Sequence, residues 1–430
     1  MRNTLTMVHI ITLLFISFNL HANTNIYILN NTDKKINMFL NDFHEISTQY
    51  NNEIEPYQLS KVMNISRYSG LETDKKYNIF AFFGYEYAAL NVEILGTVWG
   101  SEMSFNLIDP ETTHVGLLYS DRNIHHYEKG NYEYYIKASY TGGYDDITVV
   151  VNDKNSSVES QENTIDIISY NTWMLNFIGQ KMETRDSLIA KEVRNHDVVF
   201  MQEVFRRENE REIIATMGDY FNYTSDKLDG GGSNTYDGGV ITFSKYPIVE
   251  QNQHVFDNCK GTDCAADKGV LYTKIVKDNQ NYHLFNLHLG SWDTQQHRDV
   301  RILQLGEIFV FMQSLNLPDD EPIIIGGDFN INKHKFPLDY MQMLRILGVS
   351  DPELIGELIY SYDSLLNNFF TSSEEGRERF DYLLYVDNGA ILDSNSQIKA
   401  LRSFDQSIWG TWDLSDHFAI NANFTIKHQE

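Results

Sequence analysis

A polar stretch, Asn152–Thr164, divides the chain into two parts whose hydrophobic patterns require different folds. Its residues, NDKNSSVESQENT, are almost free of apolar side chains, which is typical of a linker. Before it, short alternating apolar runs such as NIYILNN and DITVVVND are separated by turn residues, and no long helical period occurs. Residues 23–151 are therefore predicted to form a small all-β sandwich, with residues 152–164 as the linker.

After the linker, apolar strands alternate with helices. The runs IDIISYNTW, DVVFMQEV, NYHLFNLHL, EPIIIGGDFN and HFAINANFTI are typical of buried strands, whereas TRDSLIAKEVRNH and TQQHRDVRILQLGEIFVFMQSL have apolar residues at helical spacing. Such a mixture predicts a layered α/β domain over residues 165–430, with two packed sheets covered by helices. The chain length of 430 residues also favours two domains, because it exceeds what a single core usually supports.

The N-terminus has the pattern of an export signal. Arg2 supplies a positive charge, the apolar run HIITLLFISFNL is too short to span a bilayer comfortably, and Ala22 suits a signal-peptidase site. We expect residues 1–22 to be a signal peptide and the protein to be secreted, with a periplasmic location as the alternative. A buried N-terminal strand is the other interpretation of this run.

The charge balance restricts the partners. The formal net charge is −26, from 34 Lys and Arg against 60 Asp and Glu, and no basic cluster is evident. A nucleic-acid binder needs a basic surface against the phosphate backbone. We therefore expect no nucleic-acid partner, and favour a small or uncharged substrate, or a divalent cation held by carboxylates. A monomer is expected.

The two cysteines, Cys259 and Cys264, bracket the turn-rich sequence KGTD. An exported protein reaches an oxidising compartment, which favours a disulfide between them. Two thiols without a nearby histidine pair do not suggest a metal site, and two free thiols remain the alternative.

Polar residues that could take part in catalysis or bind a metal recur where the apolar runs of the second part begin or end. Taken singly, each has an ordinary interpretation as a turn former, a solvated strand end or a hydrogen-bonded core residue. Their recurrence at so many strand ends of one domain favours a functional site. The residues are Asn171 in ISYNTW, Glu203 in VFMQEVF, His288 in FNLHLGSW, Asp328 and Asn330 in IIIGGDFNIN, Asp381 in RFDYLLY, and Asp416 and His417 in LSDHFAI.

The order of these motifs resembles the endonuclease/exonuclease/phosphatase (DNase I-like) superfamily, and within it the branch of secreted bacterial neutral sphingomyelinases. YNTWML, DGGVITFSKYPI, the cysteine loop running into ADKGVLY, and HLGSWD are similar to that branch specifically. The resemblance covers roughly residues 165 to 428 and leaves the first part of the chain unexplained. It implies a four-layered α/β sandwich with the site at one end of two packed sheets, and cleavage of a phosphate ester.

The resemblance also implies a metal site and the residues that hold it. Glu203 is the first expected ligand, with Asn171 beside it, and Asp416 reaches the metal directly or through water. Mg²⁺ prefers such oxygen ligands, so it is the expected cation, with Mn²⁺ and Co²⁺ as alternatives. A second metal bound by Asp328, Asn330 and His417 stays open, because two-metal sites also serve phosphoryl transfer.

Catalytic roles follow from the same resemblance. His417 is the expected general base for a water that attacks the phosphorus in line, and Asp381 is the expected orienting carboxylate. Asp328 and Asn330 are expected to position the water and the phosphate. His288 is expected to donate a hydrogen bond to the phosphoryl group as charge develops, and Asp416 lies beside the base. Asp237, before GGVITF, matches a family position and is assigned to substrate positioning.

The stretch DGGGSNTYDGG, Asp229–Gly239, is rich in glycine but lacks the Lys-Ser/Thr ending of a P-loop. We interpret it as a flexible loop at the rim of the site rather than as a phosphate cradle.

An aromatic stretch, SFDQSIWGTW, precedes the SDH motif. Because related enzymes carry a protruding apolar hairpin in this part of the chain, Phe404, Ile408, Trp409 and Trp412 are predicted to touch a sphingomyelin-containing membrane surface. The alternative is that these side chains belong to the core of the last sheet. Asn367–Phe370 is a second candidate for membrane contact.

Three functions remain open at this point. The first is a secreted phosphodiesterase that releases phosphocholine and ceramide from sphingomyelin. The second is a DNase-type nuclease or a phosphatase of the same superfamily, which the acidic charge opposes. The third is a binding protein or toxin in which the N-terminal β-domain, with a membrane, a receptor or a glycan as its ligand, matters most. The complete set of polar residues opposes the third.

Overall fold

The structure is a computed structural model of the whole chain. The predicted signal peptide and most of the predicted linker lie outside the residues that it describes. No helix within the described part of the chain is long and apolar enough to cross a membrane. The described residues are 23–41, 46–67, 70–83, 88–98, 100–109, 112–118, 124–140, 145–153, 163–231, 236–370, 376–405, 408 and 411–427.

The N-terminal part of the chain forms two six-stranded sheets. Their strands are β1 (Asn23–Asn31), β2 (Ile36–Asn41), β3 (Ser47–Gln49), β4 (Glu53–Ile54), β5 (Leu59–Ser66), β6 (Lys76–Phe83), β7 (Ala88–Thr97), β8 (Gly100–Asp109), β9 (Thr112–Leu118), β10 (His125–Lys129), β11 (Tyr132–Tyr140) and β12 (Asp145–Asp153). The first sheet has the order β10-β11-β12-β1-β5-β3, and the second has the order β4-β2-β6-β7-β8-β9. Among the described strands of these two sheets, β1 and β12 pair in parallel and the other neighbouring pairs are antiparallel.

One hydrophobic core joins these two sheets. Alternate residues of the strands point into it, among them Ile26 and Ile28 from β1, Ile79 from β6 and Val92 from β7, all of them buried. Because successive side chains of a strand point to opposite faces, this alternation places one face of each sheet inward. We call this unit the N-terminal sandwich, and it has the all-β architecture that the sequence predicts.

The described residues of the second part form a seven-stranded sheet, a six-stranded sheet, a two-stranded sheet and four α-helices. The strands are β13 (Thr164–Asn171), β14 (Val198–Gln202), β15 (Tyr223–Thr224), β16 (Ile241–Ser244), β17 (Ile248–Val255), β18 (Gly269–Lys277), β19 (Gln280–His288), β20 (Ile323–Asp328), β21 (Val349–Ser350), β22 (Glu353–Ile355), β23 (Tyr362–Asp363), β24 (Arg377–Glu378), β25 (Asp381–Val386), β26 (Ile391–Lys399) and β27 (Ala419–Ile426). The helices are α1 (Met182–Val193), α2 (Arg207–Met217), α3 (Gln295–Ser314) and α4 (Pro337–Leu347).

A seven-stranded sheet, β15-β16-β14-β13-β27-β26-β22, packs face to face against a six-stranded sheet, β17-β18-β19-β20-β25-β21. Phe200 of the first sheet and Leu284 of the second lie in the buried layer between them. Helices α1 and α2 cover the outer face of the first sheet, and α3 and α4 cover that of the second. This C-terminal sandwich therefore has four layers, helix, sheet, sheet and helix, as predicted.

Some local predictions differ from the structure. The run GVITFSKYPIV is two strands, β16 in the seven-stranded sheet and β17 in the six-stranded sheet, and Pro247 lies in the connection where the chain crosses from one sheet to the other. Two helices, α2 and α4, were not predicted. Pro337 opens α4 at the first helical turn, where a proline costs no intrahelical hydrogen bond. The two sandwiches lie within residues 23–153 and 164–426, and the exact domain limits stay a prediction.

Candidate active site

The topology of the C-terminal sandwich brings the predicted polar residues to one end of the two sheets. In each sheet two central strands run in parallel, β13 with β14 and β19 with β20, so their carboxyl ends lie side by side. Strand β25 runs antiparallel to β20 and begins at Asp381, directly opposite Asp328. Strand β27 runs antiparallel to β13, so the residues before β27 reach the end of β13. One edge of the sandwich thus collects residues that are far apart in sequence.

Glu203, His288 and Asp328 form the first group of side chains at this edge. The Nε2 atom of His288 lies 3.7 Å from Oε1 of Glu203 and 3.6 Å from Oδ2 of Asp328. Glu203 follows β14 and has a left-handed backbone with φ 57°. Such a conformation costs about 1–3 kcal/mol in a residue other than glycine, and it turns the carboxylate of Glu203 toward the other sheet.

Asp381 and His417 form a hydrogen-bonded pair beside the first group. Nδ1 of His417 lies 2.8 Å from Oδ2 of Asp381, and both side chains are buried. Because a carboxylate only accepts, Nδ1 carries a proton in either charge state of the ring, and Nε2 of His417 can accept another only when the ring is neutral. Burial, the largest single effect, would lower the pKa of His417. The charge and hydrogen bond of Asp381, together with the charges of Asp416 and Asp328, nevertheless raise that pKa well above its usual value.

Two asparagines complete the arrangement around Asp328. Nδ2 of Asn171 donates a hydrogen bond of 3.0 Å to Oδ2 of Asp328, and the backbone N–H of Asn330 donates one of 2.8 Å to Oδ1. The amide oxygen of Asn171 accepts from the backbone N–H of Trp173. Asn171 therefore holds the carboxylate of Asp328 in place, and its role as a metal ligand stays a prediction.

Asp416 lies beside the same carboxylates. Burial is the main cause that raises its pKa to about 6. The positive charge of His417 lowers this pKa, and the negative charge of Glu203 raises it. Burial likewise raises the pKa of Glu203. Burial and the neighbouring Asp381 carboxylate raise the pKa of Asp328 to about 6. Several negative charges thus repel each other in a space shielded from water.

The residues present fit a divalent cation. Ligand atoms of Glu203, His288 and Asp328 lie within 4.8 Å of one another. Among the described residues, neither ring nitrogen of His288 nor Oδ1 of Asp381 has a hydrogen-bond partner, although all three atoms are buried. An unpaired buried polar atom costs about 1–3 kcal/mol, so a ligand in this space would offset that cost. Mg²⁺ favours carboxylate oxygens, so Glu203 and Asp328 are the side chains that would hold it.

Cation affinity is expected to fall in acid. A carboxylate whose pKa is raised to about 6 keeps its charge above that pH and loses it as the pH falls through 6, and Asp328 and Asp416 both behave in this way. A cation must then displace protons, so calorimetric Mg²⁺ affinity should weaken about tenfold from pH 7.5 to pH 5.5. Asp416→Asn, which removes one titrating group, should flatten the dependence. Equal affinity at both pH values in the unmodified protein would contradict the assignment of these carboxylates.

Asp237 lies away from this group in the contacts that the structure describes. Its carboxylate forms an ion pair of 2.8 Å with Nζ of Lys227, which also binds Glu210. The end of the glycine-rich stretch nevertheless packs next to the site, because the backbone N–H of Val204 donates to the carbonyl of Gly239. The positioning role of Asp237 stays a prediction.

Sequence reasoning missed two buried basic residues that shape the site. Nζ of Lys268 binds the carbonyl of Leu289, the hydroxyl of Ser291 and the carboxylate of Asp263, and its charge acts on Glu203 and Asp328. The sequence hint for Lys268 is a single lysine directly before the apolar strand residues in ADKGVLY. Arg185 of α1 donates to the carbonyls of Thr172, Trp173 and Leu414. It thereby ties the loop after Asn171 to the segment before Asp416.

The predicted disulfide between Cys259 and Cys264 is present in the structure. Its loop contains Asp263, whose carboxylate accepts the backbone N–H of Ser291 at 2.8 Å and pairs with Lys268. Because Ser291 follows closely on His288, the disulfide steadies the segment that leaves the site.

The prediction of a protruding membrane-contacting hairpin is wrong for the described residues of that stretch. Ile408 and Trp412 are fully buried, and Phe404 is half-buried. The ring of Phe404 stacks on that of Tyr135 from the N-terminal sandwich, with centroids 4.0 Å apart. Trp409 lies outside the described residues. The described side chains are core residues, as in the alternative interpretation. The cluster around Phe404 and Trp412 is not the core of the last sheet alone, because it also includes three residues of the N-terminal sandwich, Leu29, Leu59 and Val150.

The second candidate for membrane contact, Asn367–Phe370, is also packed. Asn367 and Phe369 are buried, and Phe369 lies against the ring of Trp173 at a centroid distance of 5.3 Å. These residues therefore form a buried wall behind the loop that follows Asn171, and the described ones do not form an exposed apolar patch.

Comparison with known proteins agrees with this geometry. Residues 168–417 match the Endonuclease/Exonuclease/phosphatase family. A protein named Sphingomyelinase C from Bacillus cereus is 28% identical over 304 residues, covering 62% of this chain and 90% of the relative. A protein named Phospholipase C from Staphylococcus aureus is 34% identical over 224 residues, covering 46% of this chain and 67% of the relative.

A solved structure is similar over the same part of the chain. It is that of a mutant beta toxin from Staphylococcus aureus with bound magnesium ions, which superposes with a TM-score of 0.55 at 27% sequence identity. The match covers 60% of this chain and 98% of that one. The family match begins in β13 and ends at His417, so it contains the whole candidate site and none of the N-terminal sandwich.

Proposed function

The chain belongs to the Endonuclease/Exonuclease/phosphatase family, and from that premise we propose that it is a secreted, Mg²⁺-dependent phosphodiesterase that hydrolyses sphingomyelin to ceramide and phosphocholine. The observation that carries the proposal is the site at the end of the two sheets, where two groups of possible ligand atoms share Asp328. Relatives named Sphingomyelinase C support the substrate. The apolar run before Ala22 supports secretion.

His417 is the general base of the proposed reaction. Asp381 holds Nδ1–H, so Nε2 takes a proton from the water that attacks phosphorus, and Asp381 stabilises the imidazolium that forms. The new bond joins the water oxygen to phosphorus, and the bond between phosphorus and the ceramide oxygen breaks. The ceramide oxygen leaves with a proton taken from solvent, His417 then returns to solvent the proton that it accepted, and phosphocholine keeps the oxygen of the attacking water.

The other side chains bind and polarise the phosphate. Burial, reinforced by the charges of Lys268 and His417, lowers the pKa of His288 well below its usual value, so its ring is neutral and keeps one N–H to donate to a phosphoryl oxygen. Asn330 holds the carboxylate of Asp328 through its backbone N–H, and its side-chain amide, which donates to the carbonyl of Leu289 at 3.2 Å, is proposed to face the phosphate when substrate binds. When bound to Glu203 and Asp328, a divalent cation supplies charge neutralisation at the phosphoryl oxygens and disfavours the protonated form of His417.

The experiment for this function is a panel of substrates. The protein is incubated with sphingomyelin liposomes, phosphatidylcholine liposomes and plasmid DNA, each with Mg²⁺ and with EDTA. We expect Mg²⁺-dependent release of phosphocholine from sphingomyelin, and no nicking of the plasmid because the net charge of −26 repels phosphate backbones. Absence of phosphocholine release would refute the proposal, and nicking would support the nuclease alternative.

Membrane contact is proposed to involve the loops that leave the site, in place of the buried aromatic stretch. Phe177, six residues after Asn171, is 100% exposed, and Ile178 beside it is 62% exposed. Trp292, four residues after His288, is also 62% exposed. Large apolar side chains on loops that start at a catalytic edge suit the interfacial region of a bilayer, and tryptophan prefers that region.

The combined variant Phe177→Ala, Ile178→Ala and Trp292→Ala is expected to bind sphingomyelin vesicles at least about tenfold more weakly, because each buried apolar side chain contributes about 1.5–3 kcal/mol. Its activity on a water-soluble choline phosphodiester should be unchanged. Vesicle sedimentation measures the first quantity and a colorimetric assay measures the second.

Leu392 provides the matched control for vesicle binding. It is 65% exposed and lies at the start of β26. This part of β26 pairs with the end of β27, which is the end far from the site. Leu392→Ala should leave vesicle binding unchanged. Equal binding by the triple variant and the unmodified protein would show that other residues make the membrane contact.

A further inference from the structure

We propose that the N-terminal sandwich positions the general base of the C-terminal sandwich. Tyr135 and its neighbours on the outer face of the first sheet are then positioning residues for His417, although none of them touches the substrate. The inference rests on the proposed function in taking His417 as the base. Its structural basis is a hydrophobic cluster that both sandwiches build together.

The first sheet of the N-terminal sandwich is apolar on its inner face and carries a buried apolar patch on its outer face. Along β1, Ile28 faces the core between the two sheets, whereas Leu29 points the opposite way and is still buried. Along β12, Val149 and Val150 show the same division. A sheet with one solvated face has polar residues there, so an apolar outer face indicates that another layer covers it.

The covering layer is the part of the C-terminal sandwich that carries the base. Ile398, Ala400, Trp412 and Phe418 are buried against Leu29, Leu59 and Val150 in one cluster. Phe418 directly follows His417 and is 1% exposed. Alternation along the chain directs Phe418 into the N-terminal sandwich and His417 toward Asp381.

Aromatic contacts connect β11 to the same segment. The rings of Tyr135 and Phe404 stack at 4.0 Å with an angle of 18° between their planes, and Phe404 meets Trp412 edge to face at 6.4 Å. Nζ of Lys137 lies 5.3 Å from the centre of the Trp412 ring. Aromatic pairs prefer particular relative orientations, so this contact fixes the position of Phe404 against β11 and does more than bury apolar area.

Hydrogen bonds continue from this contact to the base. Lys137 binds the side chain of Asn368, and the backbone N–H of Asn368 donates to Asp413 at 2.7 Å. Nδ2 of the adjacent Asn367 donates to the carbonyl of Ser415 at 2.8 Å. The hydroxyl of Ser415 in turn accepts the backbone N–H of His417 at 3.3 Å. Each link from β11 to the base is a direct contact.

A second set of contacts fixes the angle between the two sandwiches. The carboxylate of Glu357 accepts from the backbone N–H of Lys61 at 3.1 Å and from the side chain of Asn51. Nε2 of Gln397 donates to the carbonyl of Tyr57 at 3.1 Å. These hydrogen bonds flank the hydrophobic cluster that the two sandwiches share. They therefore oppose both sliding and rotation of one sandwich against the other, which keeps the segment that carries His417 in place.

Variants of the full chain test the inference on a water-soluble choline phosphodiester, so that membrane binding does not contribute. Tyr135→Ala removes the stack on Phe404 and is expected to lower kcat about tenfold or more with little change in KM, because small displacements of a catalytic group are costly. Tyr135→Phe keeps the ring and should restore kcat. Val150→Ala should lower kcat, whereas Val149→Ala, its neighbour on the inner face, should not.

A substrate-independent readout accompanies the kinetics. In the full chain with ¹⁵N-labelled histidine, the signal of His417 is identified as the one missing from His417→Ala. Tyr135→Ala and Val150→Ala should shift it, and Val149→Ala should leave it in place. Unchanged kcat and an unchanged His417 signal in Tyr135→Ala would overturn the inference, as would equal effects of Val149→Ala and Val150→Ala. A protein inactive on every choline ester would refute the proposed function while the spectra still test the inference.

Discussion

Replacement of His417 by alanine lowers kcat for sphingomyelin hydrolysis by about 10²- to 10⁴-fold, which is the usual contribution of a general base. The reason is that Nε2 of His417 is the proton acceptor and that Asp381 fixes its orientation through a hydrogen bond of 2.8 Å. Vesicle binding should not change, because the exposed loops that are proposed to touch the membrane remain intact. Initial rates with saturating Mg²⁺ and substrate measure the effect.

His196 offers a matched control for this prediction. It is also buried, and its Nδ1 lies 2.9 Å from a carboxylate, that of Asp166. Asp166 lies at the start of β13, at the opposite end of the sandwich from the site. His196→Ala therefore removes a pair of the same kind and should keep kcat within about threefold at a temperature where it is folded, since the general-base contribution is untouched. Full activity in His417→Ala would disprove its assignment as the base.

Replacement of Glu203 by glutamine is the second large expected effect. The change keeps the shape of the side chain but removes a negative charge from the group that would hold the cation. We expect Mg²⁺ affinity to fall at least about tenfold, and activity at saturating substrate to fall about 10²- to 10⁴-fold, because a catalytic metal contributes several kcal/mol to transition-state stabilisation. Calorimetry with Mg²⁺ measures the affinity without any substrate.

Glu307 supplies the control for that charge removal. Its side chain is 14% exposed, against 15% for Glu203, and its carboxylate accepts hydrogen bonds from His254 and from the backbone of Asp257. Glu307→Gln should lose some stability and keep its Mg²⁺ affinity. If Glu203→Gln bound Mg²⁺ as tightly as the unmodified protein, the cation would have to be held elsewhere.

The sequence indicated which side chains the structure brings together because each of them lies at a strand end, and their catalytic roles stay predictions. Apolar runs identify the strands, and Asp328 or His288 at the end of such a run must lie at an edge of the sheet. That Asp381 and His417 reach the same edge depends on strand direction, which periodicity alone does not reveal. The resemblance to a family indicated that these residues share one site. The structure gives the physical reason for Asp381, because β25 runs antiparallel to β20 and places Asp381 opposite Asp328.

Long-range contacts explain what the sequence could not predict. Large apolar residues such as Ile408 and Trp412 occur both in lipid-facing hairpins and in protein cores, so the sequence alone does not distinguish the two. Both side chains are buried, and Trp412 packs against residues of the N-terminal sandwich, which are distant in sequence. In the sequence Lys268 resembles any lysine beside a strand. Its buried position depends on hydrogen bonds from its amine to the carbonyl of Leu289 and the hydroxyl of Ser291, which are distant in sequence. One local signal did exist. Consecutive apolar residues in DITVVVND indicate a strand buried on both faces, which a two-layered sandwich alone does not provide.

The most direct measurement follows the oxygen of water during hydrolysis. Sphingomyelin liposomes are incubated with the protein and Mg²⁺ in water enriched in ¹⁸O, and the products are examined by ³¹P NMR and mass spectrometry. The proposed attack of a His417-activated water on phosphorus predicts phosphocholine with one ¹⁸O, ceramide with none, and no product when EDTA is present. Label in ceramide, or phosphocholine release that persists in EDTA, would contradict the account.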